Sequence, residues 1–276
     1  MLEEFEIAGG SVAGRDHRHA LTNCQDAYAI ATSKNVVAGV VADGCTSGEH
    51  SEVGAKIGAR IAVDQLLRVF QAEPTLLSAD PAVLTGALAR VRRGILTRIA
   101  SIADAMGGSY SKTVSDYFLF TLVGVVATEW RTVTFVAGDG VIAPNERVVE
   151  ILSENNKPSY IAYDLVDSTV EAPPLAVVNS FALGDVRQIL IGTDGLGALV
   201  KASDRKVPGK DEPIGFISQF WENDAHFKNP FSIQRRLRVI NRDYMRIDYD
   251  RRAVHEEHGP LADDATLVVF RRRRMG

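Results

Sequence analysis

Four aspartates share one setting in this sequence: an apolar, strand-like run reaches an acid that has glycine or another turn former beside it. They are Asp43 in VVADG, Asp139 in FVAGDG, Asp194 in ILIGTDG and Asp263 in LADDA. Carboxylates at strand ends can converge above a sheet, and a ligand set made only of oxygen suits hard cations such as magnesium or manganese better than zinc. Glycine beside the acid permits a sharp turn and exposes a backbone carbonyl that can itself face a metal or its water. Taken singly, each Asp-Gly is better read as a hairpin turn. Its recurrence after apolar runs is what points to a shared site.

The elements that must position these acids are legible from periodicity. Apolar runs at residues 5 to 10 and 27 to 43, with VVAGVVA before Asp43 the clearest, have the length and β-branching of buried strands. From Glu52 to Phe70 the period changes: Val53, Ile57, Ile61, Leu66, Leu67 and Phe70 recur at near-helical spacing and predict a helix with that stripe buried. Leu84, Leu88, Val91, Ile95, Ile99 and Ile102 predict a second helix, with Arg90, Arg92, Arg93 and Arg98 mostly off its stripe. FLFTLVGVVA and TVTFV, separated by a polar turn at Thr128 to Arg131, read as an antiparallel hairpin. Beyond a polar, proline-containing stretch from Ser153 to Pro174 come the strand QILIGT, helical candidates at 195 to 202, 213 to 222 and 231 to 245, and the strand ATLVVF. Strands and helices in blocks argue for an α+β domain of two sheets with outer helices rather than a doubly wound parallel sheet.

Composition narrows the function classes. The 276 residues, 46% of them hydrophobic, can build a sizeable core, and without an internal repeat or linker-like tract the simplest reading is one domain over 1 to 276. A formal net charge of −4 argues against nucleic acid as a partner. No apolar run approaches a membrane span and MLEEFEIAGG lacks the pattern of a signal peptide, so a cytoplasmic, unanchored protein is expected. Cys24 and Cys45 are too few for a disulfide scaffold or an unaided zinc site, and read as small packed hydrophobes in a reducing compartment. The basic run RRRR at 271 to 274 reads as a solvated tail. A Walker-type loop, a kinase-like glycine loop and a Gly-x-Ser-x-Gly turn are all missing, which removes support for nucleoside triphosphate binding and serine hydrolase chemistry.

Five segments in order, GRDHRHALTNCQDA at 14 to 27, VVADGCTSGEHSEVGA at 40 to 55, FVAGDG at 135 to 140, ILIGTDGLGALV at 189 to 200 and LADDATLVVF at 261 to 270, resemble the motifs of the metal-dependent type 2C serine/threonine phosphatases. The first is similar to a bacterial branch through Gly14, His17, Cys24, Gln25, Asp26 and Ala27. The resemblance implies a four-layer α-β-β-α sandwich of two mainly antiparallel sheets with a metal site at one edge. It implies two Mn2+ or Mg2+ ions bridged by Asp43, with the Gly44 carbonyl, Asp194 and Asp263 as further ligands and Asp264 in the place of the usual asparagine. Asp26 takes the place of an acid that contacts the metal shell through water, and Asp139 that of a third-ion ligand. Ala198 stands where many relatives carry that ion's partner acid, and Gln25 where the usual residue is glutamate, which argues against a third ion and alters the second shell.

The chemistry so implied is hydrolysis of phosphoserine or phosphothreonine in proteins by a metal-activated water, with a phosphoprotein substrate and a partner serine/threonine kinase in bacterial signalling. Leu21 stands nearest the position where relatives commonly have a phosphate-clasping arginine. Of the polar residues upstream, Arg15, His17, Arg18 and His19, His17 matches the motif and is the candidate to protonate the leaving oxygen. Two other readings stay open. One is a pseudophosphatase kept as a binding module, suggested by Gln25 and Ala198; the other is a phosphatase of small phosphorylated molecules.

Overall fold

A computed structural model describes residues 5–78, 80–153, 158–166 and 172–273. The chain runs β1 (Phe5–Val12), α1 (Arg15–Ala20), β2 (Asp26–Thr32), β3 (Val36–Gly44), α2 (Ser51–Ala72), α3 (Pro81–Met106), α4 (Tyr110–Tyr117), β4 (Phe120–Thr128), β5 (Arg131–Ala137), β6 (Gly140–Pro144), β7 (Val149–Ile151) and β8 (Ala176–Ala182). It continues through β9 (Gln188–Gly192), α5 (Leu196–Lys201), α6 (Gln219–Glu222), α7 (Ala225–Lys228), α8 (Ser232–Ile240), β10 (Tyr244–Asp248), β11 (Ala253–Glu257) and β12 (Ala265–Arg272). Two antiparallel five-stranded sheets result, ordered β1-β12-β9-β6-β7 and β2-β3-β4-β5-β8, with β10-β11 a separate two-stranded hairpin. Among the described residues no helix is long and apolar enough to cross a membrane.

Strand β3 shows why the layers stack as they do. Val36, Ala38, Val40 and Ala42 pack with α2 and α3, whereas Val37 and Val41 on the other face meet Ile189, Ile191, Val268 and Phe270 of the opposite sheet. A strand buried on both faces needs a continuous apolar run, which is what VVAGVVA supplies. Gly39 interrupts it because a β-carbon there would lie 2.7 Å from the Phe270 ring. A third apolar layer, with Leu196, Phe220, Trp221 and Leu237, joins the outer face of the first sheet to α5, α6 and α8. The order helix, sheet, sheet, helix is therefore the expected four-layer α+β sandwich.

Several local expectations need correction. Helix α2 buries only part of its expected stripe: Ile61, Leu66 and Phe70 are buried together with Gly54, Ala55, Gly58, Ala59 and Ala62, whereas Ile57 and Leu67 are only partly buried and Val53 is exposed. A β-carbon on Gly54 would sit 1.5 Å from the Tyr117 carbonyl oxygen and one on Gly58 2.1 Å from the Phe120 ring, so close approach of the backbone decides which face turns in. The helix expected at 231 to 245 stops at Ile240 and gives way to β10, and that at 213 to 222 is helical only over Gln219–Glu222. The basic run is only in part the solvated tail expected: Arg273 is exposed, Arg272 half-buried and Arg271 buried. Arg271 is buried in β12, its guanidinium held by Glu6 at 2.5 Å and Asp224 at 2.8 Å and stacked 3.9 Å from the Phe227 ring centroid. Arg274 lies outside the described residues, as do 154–157 and 167–171 of the polar stretch at 153 to 174. What is described there includes a short 3-10 turn at Ile161–Leu165, tied to α3 by Arg92 through Asp164 at 2.7 Å and the Pro173 carbonyl at 2.9 Å.

Candidate metal centre

Topology gathers the acids. In the first sheet β12, β9 and β6 are antiparallel neighbours, so the residues before β12 (Asp263), after β9 (Asp194) and before β6 (Asp139) fall at one end. In the second sheet Asp26 begins β2 and Asp43 closes β3, and the two are direct partners in the register. Directly opposed residues project from the same face about 5 Å apart, where like charges repel. The turn after β5 reaches Asp139 through Gly138 at φ +95°, a conformation few residues other than glycine adopt.

The electrostatics of this end are one-sided. Burial lifts the Asp43 carboxyl well above the usual carboxylate range, and Asp26, Asp194, Asp263 and Asp139 each push it further. Burial also raises Asp194, with Asp139 and Asp263 adding to the shift, while bonds to the Gly195 backbone and to the Asp43 carboxyl oppose it. Lysine and arginine are absent from the charges that weigh most on Asp26, Asp43 and Asp194. Carboxylates crowded without a cationic side chain form a donor set that a hard divalent cation satisfies.

Around this centre the structure adds residues that sequence reading missed. Thr193 Oγ1 donates to Asp26 Oδ2 at 2.6 Å and accepts from the Thr266 N–H at 3.0 Å, joining the two sheets under the acids. Burial raises the Asp26 carboxyl and Asp264 adds to that, while the bond from Thr193 holds it down. Exchanging Thr193 for valine keeps the volume but removes the hydroxyl and strands the buried Thr266 N–H. A loss of about 1–3 kcal/mol is expected in urea unfolding of chelator-treated protein. The hint was present in GTDG and DDAT, where threonine stands beside both motifs. Ser153 Oγ donates to Asp139 Oδ2 at 2.7 Å. Ala198, half-buried on α5, supplies no acid nearby.

The adjacent acids Asp263 and Asp264 have different surroundings. Asp263 is exposed, whereas Asp264 is buried and accepts the Gly14 N–H at 2.7 Å and the Gln25 N–H at 2.5 Å. His17, on the short α1, places Nδ1 2.8 Å from Asp264 Oδ2 and Nε2 3.9 Å from Asp263 Oδ1. These three residues bring ligand-type atoms within 4.8 Å of one another, yet both oxygens of Asp264 are committed to backbone donors, so it fits a clamp on the first motif. The side-chain oxygen of Gln25 is buried without a partner. Arg18 and His19 turn away from the acids: Arg18 pairs with Asp243 at 3.0 Å, and His19 lies 3.7 Å from the same carboxylate. Leu21 is exposed and ends α1 in the left-handed region at φ 57°.

Comparison with known proteins agrees with this architecture. Among solved structures, a point variant of a bacterial serine phosphatase superimposes with a TM-score of 0.54 at 15% identity, covering 98% of this chain and 99% of that one. The serine/threonine phosphatase Stp1 from Staphylococcus aureus gives 0.51 at 14%, covering 99% and 96%. The catalytic domain of the serine/threonine protein phosphatase PstP, solved with two manganese ions, gives 0.50 at 16%, covering 98% and 99%. A search of curated protein sequences gave no match. At these identities the structures establish the fold. The family profile described as protein phosphatase 2C matches residues 13–229, well over half the chain, and on that ground the chain belongs to the protein phosphatase 2C family.

Proposed function

We propose that the protein hydrolyses phosphoserine and phosphothreonine in proteins, using two Mn2+ or Mg2+ ions at the end of the two sheets. The observation that carries this reading is the convergence of Asp26, Asp139, Asp194 and Asp263 on Asp43 from both sheets, with no lysine or arginine among the charges that weigh most on it. Asp43, the Gly44 carbonyl, Asp194 and Asp263 would hold the ions. When bound, such ions supply a nucleophilic water at neutral pH and positive charge against the phosphoryl oxygens. Asp26, fixed by Thr193, would orient that water. His17 Nε2 would carry the proton for the leaving serine or threonine oxygen, the ring standing with Nδ1 2.8 Å from Asp264 Oδ2. Asp139, already bonded by Ser153 and lacking an acid at Ala198, would serve the shape of the site without a third ion.

The rest of the reading follows from the frame. The whole chain would work as one domain, because its first and last strands, β1 and β12, pair along their length. Two free thiols suit a reducing cytoplasm, and a phosphoprotein with its serine/threonine kinase would be the natural partners. The test is hydrolysis of a phosphothreonine peptide and of a small phosphate ester, each with manganese and with chelator. Metal-dependent turnover of the peptide is expected; turnover of the small ester alone, or equal rates in chelator, would overturn the proposal.

A further inference from the structure

The inward turn of Gly54 and Gly58 on α2 leaves Ile57 only partly buried beside the buried Ile61. Ile57 and Ile61 of α2 and Ile102 of α3 line a cavity of about 610 Å³ between the two helices, rimmed by Lys56, Arg60 and Arg98. A second hollow of about 320 Å³ follows the same helix pair, shares Thr97 and Arg98 with the first, and is lined by Arg68, Arg90 and Arg93. Neither includes any of the aspartates. Together they form one groove with an apolar floor and six cationic side chains, on a molecule whose net charge is −4.

Its charge is not balanced internally. Arg60 lies 3.4 Å from Asp64, and Arg90 only 4.0 Å from Glu73. Among the described residues Lys56, Arg68, Arg93 and Arg98 have no carboxylate within ion-pair distance. Unpaired cations around an apolar floor match a ligand that alternates acids with aliphatic side chains. Three features separate that ligand from other polyanions. The groove lining has no aromatic side chain on which a nucleobase could stack. The hollows are concave, whereas a bilayer surface is flat, and the apolar residues lie at the bottom rather than at the crest. Lys56 also lines the next hollow, together with Cys24 and Asp26, so the groove opens toward the flank of the acidic centre.

We infer that the groove between α2 and α3 is a docking site for an acidic amphipathic segment of a protein partner, separate from the metal centre and independent of whether that centre hydrolyses phosphate. Binding there would place acids over Arg68, Arg93 and Arg98 and aliphatic side chains against Ile57, Ile61 and Ile102. Helix α2 runs for 22 residues, so a helical segment of about 20 residues would follow its length.

The test uses the full chain and a fluorescent peptide of about 20 residues carrying leucine at helical spacing and glutamate elsewhere, followed by anisotropy in chelator so that catalysis plays no part. The expected result is saturable binding, lost at least tenfold in Arg93→Glu/Arg98→Glu and unchanged in Lys34→Glu, a reversal on the exposed β2–β3 turn. The same peptide with glutamine for glutamate should bind at least tenfold more weakly. Far-ultraviolet circular dichroism and the thermal midpoint should be equal in all three proteins, which shows that the variants fold. Equal peptide binding by parent and double variant would overturn the proposal. So would a preference for single-stranded DNA or phosphatidylserine vesicles that the same reversal abolishes.

Discussion

Asp43→Asn is expected to raise the thermal midpoint of the chelator-treated protein while abolishing manganese-dependent hydrolysis of a phosphothreonine peptide. Both effects have one origin. Asp43 gives up solvation at the end of β3 and then meets four further acids, so its carboxyl is lifted well above the usual range. For a group whose folded-state value is raised, the stabilisation is complete below the ordinary carboxylate range and is lost as pH rises through the elevated value. Parent and variant should therefore match in acid and diverge as the pH rises, with asparagine the more stable. Each kcal/mol gained moves the midpoint by about 2 °C for a chain of this size. The same substitution removes the carboxylate that would bridge the ions, and activity should fall at least about 10²-fold, the scale on which one lost transition-state charge contact acts. Manganese should also raise the midpoint of the variant less than that of the parent. A variant less stable in chelator at neutral pH, with turnover retained, would mean that Asp43 only shapes a turn.

The periodic elements were the easiest to read from sequence. Helix α3 buries Leu84, Leu88, Val91, Ile95 and Ile99 as its spacing predicts, because nothing approaches that face closely enough to demand small residues. Helix α2 has an equally regular aliphatic stripe, of which Ile61, Leu66 and Phe70 are buried as expected; nearer its start the Tyr117 carbonyl and Phe120 ring come so close that Gly54 and Gly58 turn inward, leaving Val53 exposed and Ile57 only partly buried. Propensity and period describe one element alone, whereas the choice of face belongs to the pair. Arg271 shows the same limit in charge, since a basic run after a strand looks solvated until Glu6 and Asp224 from other elements close over it. The helix expected at 231 to 245 ran two residues into β10, and the rest of the β10–β11 hairpin was not expected, because its exposed Met245, Ile247 and Val254 carry no burial pattern to mark a strand.

Asp43, Asp139, Asp194 and Asp263 stand out in the sequence because each lies beside an apolar run, whereas Asp26 was marked only by the resemblance. The support of these acids does not stand out. Thr193 and Ser153 reach Asp26 and Asp139 only through the tertiary fold, and threonine and serine are too common in turns for sequence to single them out. The division of labour between Asp263 and Asp264 is of the same kind. Adjacent residues point to opposite sides, so one faces solvent at the centre and the other clamps Gly14 and Gln25. Which does which depends on the neighbouring loop, not on the two letters.

That loop contact sets the second large effect, expected from Gly195→Ala. Gly195 has helical backbone angles, φ −54° and ψ −21°, so alanine meets no conformational obstacle there. Its β-carbon, however, would stand 1.9 Å from the Asp264 carbonyl oxygen, where contacts under 3.0 Å are essentially never seen. The obstructing atom is backbone and cannot rotate away. Relief requires the Thr193–Gly195 turn and the 263–265 segment to separate by about 1 Å, and these segments carry Asp194 and Asp263. A misplacement of about 1 Å can cost about 10²-fold in rate, and overpacking of this kind about 1–3 kcal/mol in stability. Weaker manganese binding, slower peptide turnover and a lower midpoint should therefore appear together. Gly86→Ala makes the comparison informative, because Gly86 lies on the exposed face of α3 with nothing within 4 Å of the added carbon. There alanine should stabilise by about 0.5–1 kcal/mol and leave turnover and metal binding unchanged. Opposite signs from the same chemical change would locate the cost in the contact between the two acid-bearing segments. A silent Gly195→Ala would mean that those segments part without disturbing the ions, and that Asp194 and Asp263 need not be held together for the site to work.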